Sequence, residues 1–201
     1  MPASCGPFRT ICSFDIYLTL CASRGERGTH IRTMFWSSHP LPTRGTPMKI
    51  QERIPLAPYT TFGIGGNARF FTRAENVDDL KEALASVKER NIPFFILGGG
   101  SNVLIDDNGF DGLVIKVEIK GVEERGDTYV AGAGESWDRL VERAVANNLW
   151  GIENLSGIPG TVGGAVVQNI GAYGAALSKT LSWVEVLDTE SGTVKRLSAA
   201  E

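Results

Sequence analysis

The sequence predicts a mixed fold of helices and strands, α+β or α/β, over residues 48–201. Two observations carry that prediction. Apolar residues at helical spacing alternate with short apolar runs along this segment, and glycine-rich turns separate them. The composition also suits a packed core: 42% of the 201 residues are hydrophobic and 21% are charged. No apolar stretch approaches the roughly 20 residues that cross a bilayer. A net charge of -3 leaves no basic footprint for nucleic acid.

Taken in order, residues 68–72 read as a short strand. Asn76 stands where an N-cap belongs, and Val77, Leu80, Ala83, Leu84 and Val87 follow at helical spacing. Residues 94–97 form a continuous apolar run after Pro93 and before three glycines, which predicts a buried strand. Residues 113–117 and 128–131 are further strands. Ser136 is expected to cap a second helix, with Trp137, Leu140, Val141, Ala144 and Val145 on one face. Residues 183–187 and 193–197 flank Asp188-Thr189-Glu190-Ser191-Gly192, which reads as a hairpin. Ser198-Ala199-Ala200-Glu201 fits a capping box, so a further helix is expected to start where this sequence stops.

Residues 1–47 differ from the rest. Their five Arg and two acids give +3, whereas the remaining 15 basic and 21 acidic residues give -6. The segment has no sustained period, and it ends in a Pro-, Thr- and Gly-rich stretch at 40–47. It is expected to be a disordered or artefactual extension, with Met48 the natural start. A signal-peptide core at 11–22 is the weaker reading, because Asp15 interrupts it.

All three cysteines (Cys5, Cys12, Cys21) and both histidines (His30, His39) lie in this leader. Residues 48–201 alone therefore cannot build a Cys/His zinc site, a His-activated nucleophile or a dithiol redox pair. Electron transfer there would need a bound cofactor.

Two glycine loops carry the chemistry. The first, Gly98-Gly99-Gly100-Ser101-Asn102, directly follows the strand at 94–97. Three glycines let consecutive amides converge on an anion, and Ser101 and Asn102 add neutral donors. No Lys follows, so the loop is not a nucleotide-hydrolysing P-loop, and Val103 breaks the G-x-G-x-x-G spacing. The second runs Gly157-Ile158-Pro159-Gly160-Thr161-Val162-Gly163-Gly164-Ala165 and continues to Gln168-Asn169-Ile170-Gly171-Ala172-Tyr173-Gly174. Gly163 and Gly164 would let a short helix approach a flat ligand or another backbone. Gln168 and Asn169 offer amides suited to a heterocycle edge, and Tyr173 a ring or hydroxyl. Glycine-rich turns without a ligand are the alternative for both.

The pair LGGGSNVLI (97–105) and ENLSGIPGTVGGAVVQNIGAYG (153–174) closely resembles the N-terminal, FAD-binding part of the UDP-N-acetylenolpyruvoylglucosamine reductase family. The opening LAPYTTFGIGG (56–66) and GAGESW (132–137) look similar to the same family, and the resemblance covers residues 50–201. It implies a p-cresol-methylhydroxylase/vanillyl-alcohol-oxidase-type domain of two α+β subdomains with FAD between them. By that resemblance Leu97, Gly98, Gly99, Gly100, Ser101, Asn102, Val103 and Leu104 would cradle the pyrophosphate. Ile158, Pro159, Gly160, Thr161, Gly163, Gly164 and Ala165 would line the flavin and ribityl region, with Gln168, Asn169, Gly171, Ala172 and Tyr173 nearby. Thr61, Gly63, Ile64 and Gly65 would touch the cofactor from the first strand.

The family reduces UDP-N-acetylglucosamine enolpyruvate to UDP-N-acetylmuramate with NADPH, in peptidoglycan precursor synthesis in the bacterial cytoplasm. Its catalytic arginine, serine and glutamate are expected beyond Glu201, so no catalytic residue and no metal ligand is assigned in these 201 residues. Arg125, Arg139, Arg143 and Arg196 sit in no family motif and are expected to be solvated. The chain alone is expected to be inactive, and to be poorly soluble or to hold FAD weakly. Another oxidase of the same fold is the alternative. Many of those attach flavin through His or Cys, which residues 48–201 lack, so non-covalent FAD is implied. A non-catalytic nucleotide-binding remnant is the third reading. No nucleic acid or membrane partner is expected, and no oligomer is predicted.

Overall fold

The computed structural model describes residues 16–22 and 48–199. They build two main sheets, each covered by a helix. The first strand, β1 (Ile16–Ala22), belongs to the second sheet. The first sheet holds β2 (Gln51–Pro55), β3 (Asn67–Ala74), β4 (Phe94–Leu97) and β5 (Phe110–Val117) in the order β2-β3-β5-β4. β5 runs parallel to both β3 and β4, and α1 (Val77–Arg90) makes the crossover between them.

Helix α1 forms for reasons visible in its ends. The Asn76 side chain accepts the Asp79 N–H at 2.9 Å, satisfying one orphan donor of the first turn. Asp78 and Asp79 lie in the first turn, and Lys88 and Arg90 in the last, matching the helix dipole. Asn91 closes the helix in the left-handed region at φ 50°. Its buried face meets Phe70, Leu113 and Ile115 of the sheet. Phe71 and Val114, one residue on, point to the opposite face and pack with Leu56 and Leu97.

The strand at residues 94–97 is half-buried rather than buried, with Leu97 alone fully covered. It lies at the sheet edge, so one side lacks a neighbouring strand. An apolar run does not reveal that position.

The second sheet contains β6 (Val122–Arg125), β7 (Thr128–Gly132), β10 (Leu181–Leu187) and β11 (Val194–Ser198), ordered β11-β10-β1-β7-β6. All its pairs are antiparallel. Helix α2 (Trp137–Ala146) buries Trp137, Leu140, Val141 and Ala144. Val145, expected on this face, is half exposed because it lies roughly 80° round the axis from Trp137. Ser136 occupies the N-cap position but makes no side-chain cap bond. Its backbone instead bridges to Thr161, and Asp138 of the first turn accepts from Ser156 and Gly157. Between α2 and β10 lie α3 (Val162–Val167) and the small hairpin β8 (Gly171–Ala172) and β9 (Ala175–Ala176). Ala133 and Leu187 enter the core of the first sheet and join the two halves.

β1 departs from the sequence reading of residues 1–47 for these seven positions. It sits between β7 and β10, with Thr19–Ala22 opposite Gly132–Tyr129 and Ile16–Ala22 opposite Leu187–Leu181. A run that is apolar without alternation is ambiguous on periodicity alone, and pairing on both edges decides it. The other leader residues, and Ala200 and Glu201 of the expected capping box, lie outside the described residues.

Removing residues 1–47 would leave β7 and β10 each with an unpaired edge. The shortened chain is expected to melt roughly 10 °C lower, as a loss of a few kcal/mol produces at this size, and to self-associate with rising concentration. Thermal unfolding and light scattering check this. An unchanged midpoint with a monodisperse monomer would contradict the placement of β1.

Candidate functional site

The site arises where β4 ends. Leu97 is fully buried, so the chain leaves the sheet rigidly, and Gly98 to Asn102 turn across its end. The Gly98 carbonyl accepts from Lys116 Nζ at 2.9 Å. A methyl group on Gly99 would sit 2.8 Å from Gly160 Cα, closer than real side chains come. One on Gly100, which has φ +69°, would lie 1.9 Å from the Tyr59 carbonyl oxygen. Only glycine fits either position.

The two glycine loops therefore touch. Ser101 Oγ donates to the Pro159 carbonyl at 3.0 Å, and a Cβ on Gly98 would come within 2.9 Å of Thr161 Oγ1. Thr161 and Val162 are held in turn by α2's entry. Val162 N–H donates to the Glu135 carbonyl, and Trp137 N–H to the Gly160 carbonyl. The opening segment closes a third side, with Thr61 N–H donating to the Gly100 carbonyl at 3.0 Å.

This arrangement has donors to spare. Among the described residues, the N–H groups of Gly99, Gly100, Ser101 and Asn102 donate to no protein acceptor. Gly100 is itself buried. A buried amide without a partner is costly, and Gly99 and Asn102 are exposed, so this run of successive free amides is open to an anionic oxygen cluster such as a diphosphate. Phe62, Ile64, Leu104, Val167 and Tyr173 are exposed large apolar residues on the segments around the loops. Such surface suits an aromatic ring or a covering domain. The residues present thus fit a dinucleotide.

The remaining sequence candidates divide into packers and outliers. Gly163 donates its N–H to the Ala133 carbonyl, and a Cβ there would sit 2.9 Å from Ala133 Cβ. Of the two uses its sequence allowed, the structure shows the approach to another backbone. Gly164 N–H is engaged by Thr161 Oγ1. Ala165 is buried with Trp137 and Leu140, and Ile158 packs against the same core. Val103 packs with Leu56 and Phe71. Gly65 lies on Ile105, Gly63 is open, and the Ile64 carbonyl accepts from Thr60 Oγ1.

Gln168 ends α3 and is exposed. Asn169 Oδ1 accepts from Ser178 N–H at 2.9 Å, so its amide oxygen is already used. Gly171 and Ala172 pair with Ala176 and Ala175. Tyr173 and Gly174, both at positive φ, make the two-residue turn between them. Tyr173 is 91% exposed at its tip.

Sequence reasoning missed Lys116, Lys120 and Asp138. Lys120 Nζ donates to the Gly134 carbonyl beside Glu135 and Ser136. Asp138 anchors the entry to the second loop, and the Gly157 and Ser156 hydrogen bonds hold its carboxyl below the usual range. The signal for Lys116 was present: a lone cation in the buried run Leu113-Val114-Ile115-Lys116-Val117.

A family model described as an FAD binding domain matches residues 68–198. The chain belongs to this family. Its relatives include the UDP-N-acetylenolpyruvoylglucosamine reductase of Pseudomonas aeruginosa, 41% identical over 153 residues, or 74% of this chain and 45% of that protein. The reductase of the same name from Thermobifida fusca is 43% identical over 155 residues, 75% of this chain and 44% of that protein. The chain thus spans less than half the length of these relatives.

Among solved structures, UDP-N-acetylenolpyruvylglucosamine reductase from Thermus caldophilus superposes with TM-score 0.62 at 33% identity. It covers 76% of this chain and 53% of its own. A variant of BBE-like 1 from Physcomitrella patens shares the fold at TM-score 0.56 and 19% identity, over 77% of this chain and 36% of its own. The fold is that of a p-cresol-methylhydroxylase-type FAD-binding domain, and the chain matches the N-terminal, FAD-binding part of these reductases.

Gly100→Ala tests the close approach of the opening segment. The exposed-turn control is Gly126→Ala, where φ is also positive but nothing lies within 4 Å. The control is expected to lose about 1 kcal/mol and Gly100→Ala clearly more, because only the latter must displace backbone. Equal losses in chemical denaturation would contradict the contact.

Proposed function

We propose that this chain is the FAD-holding part of an enzyme that reduces UDP-N-acetylglucosamine enolpyruvate to UDP-N-acetylmuramate with NADPH. The observation that carries the proposal is the run of partnerless amides from Gly99 to Asn102, on a loop that touches the second glycine loop. Relatives 41% and 43% identical over about three quarters of the chain bear the reductase name.

The first loop would bind the FAD diphosphate through its N–H groups, with Ser101 Oγ fixed by Pro159 so that the loop keeps its shape. Gly160 and Thr161 would bound the adjoining part of the cofactor, and Ser136 and Val162 keep that edge in register with α2. Bound FAD supplies hydride transfer between NADPH and the substrate's double bond. Reduction of an enolpyruvyl carboxylate builds negative charge and so needs a cation and a proton donor near it. We assign neither group to these residues. In this reading the FAD-binding unit is residues 48–201 together with β1, and turnover needs a cation and a proton donor not assigned among these residues. A nucleotide-sugar substrate suits the bacterial cytoplasm, and no helix among the described residues is long and apolar enough to cross a membrane.

The test pairs the 201-residue chain with a version extended by any downstream sequence of its reading frame. The shorter chain is expected to quench flavin fluorescence saturably but weakly, and to release the flavin into the supernatant on acid precipitation. The extended chain is expected to oxidise NADPH only when the enolpyruvyl sugar nucleotide is present. An extended chain that neither retains flavin nor oxidises NADPH would overturn the proposal.

A further inference from the structure

Lys116 is a half-buried cation in a strand whose neighbours Ile115 and Val117 are buried. Burial of an ammonium is unfavourable unless something offsets it. Its hydrogen bond goes to a single acceptor, the Gly98 carbonyl, at 2.9 Å. That acceptor is the first residue of the glycine loop. In the parallel register Leu97 lies opposite Lys116, so the side chain reaches over the end of β4 to the next peptide.

The geometry of a peptide unit gives this contact a consequence. The unit is planar and trans, so the carbonyl of Gly98 and the N–H of Gly99 point in opposite directions. Fixing the carbonyl toward Lys116 fixes the N–H of Gly99, the first of the loop's partnerless amides, away from it. Three successive glycines have the widest choice of backbone conformation, and an unheld triplet would lose much entropy on gripping a ligand.

We propose that Lys116 is the positioning residue of the first glycine loop, its ammonium setting the Gly98–Gly99 peptide so that the following amides face the FAD diphosphate. This inference rests on the flavin reading above. The groups that face Lys116 are Glu118 and Lys120 from its own stretch, Arg73 from β3, and Tyr59 from the opening segment. Arg73 is itself held by Glu118 at 2.7 Å and donates to the Tyr59 hydroxyl at 3.3 Å. The Tyr59 ring stacks on Phe71 and lies 5.9 Å from Lys116 Nζ. Desolvation, the largest influence, pulls the Lys116 pKa below the usual lysine range; Glu118 opposes it, and Arg73 and Lys120 add to it.

The sign follows from the charge. The charged form holds the carbonyl, so FAD affinity is steady at lower pH and falls as pH rises through the lowered pKa of Lys116.

The test measures FAD dissociation constants by flavin fluorescence across a pH series, for the wild-type chain, Lys116→Met and Lys116→Arg. Circular dichroism confirms that each variant is folded. Lys116→Met is expected to bind FAD about tenfold more weakly at neutral pH, the usual worth of a charged hydrogen bond. Lys116→Arg is expected to stay within about threefold of the wild type there and to keep its affinity to higher pH, since guanidinium does not titrate. Both share the flavin's own ionisation, so their difference isolates position 116, and this comparison stands even if Lys116→Met fails to fold. Wild-type binding with the same affinity and pH profile in all the folded variants would overturn the inference alone. Absence of FAD binding by the wild type would overturn the flavin reading and this inference with it.

Discussion

The backbones of Gly99 and Gly160 approach so closely that a single methyl group on Gly99 would collide with the other strand of the contact. This approach joins two segments about sixty residues apart, one leaving the first sheet at β4 and the other leading into α3. Leu97 delivers one loop from the edge of the first sheet, and the bridge from Ser136 to Thr161 delivers the other from the entry of α2. Everything proposed for the site depends on this seam. With the loops apart, the first loop's partnerless N–H groups would sit on an unsupported turn; together the loops brace each other through Gly99 against Gly160 and Ser101 against Pro159.

A charged lining runs behind the seam. Lys116 holds the Gly98 carbonyl and Lys120 the Gly134 carbonyl, while the Glu118 carboxylate between them pairs with Arg73. Both lysines grip carbonyls next to the turns that meet, one on each side. The arrangement uses cations to shape main chain, which leaves the amides themselves available to an anion.

Much of this was legible in the sequence. Asn76 capped the helix it was expected to cap, and the apolar spacing of Leu80, Ala83, Leu84 and Val87 marked a face that is buried. The triple glycine after an apolar run located the first loop. What escaped were relations between distant residues. That β4 is an edge strand depends on β5 arriving between it and β3. Ser136 matched a cap by type, yet its neighbourhood is set by Thr161 far along the chain. For Gly163 the sequence left a flat ligand and another backbone both open, and for Ala165 it gave only a resemblance; that they pack toward Ala133 and Trp137 depends on segments far along the chain. Ile16–Ala22 had no period to announce a strand, because partners on both edges define it.

The central claim is that the amides of the first glycine loop grip the dinucleotide's diphosphate. Titrating the isotope-labelled chain with FAD and following each backbone N–H by NMR tests it most directly. The account predicts that the resonances of Gly99 to Asn102 move first and furthest, in the direction of stronger hydrogen bonding, with ADP reproducing the effect. Saturable FAD binding that leaves these four unmoved while shifting amides elsewhere would contradict it.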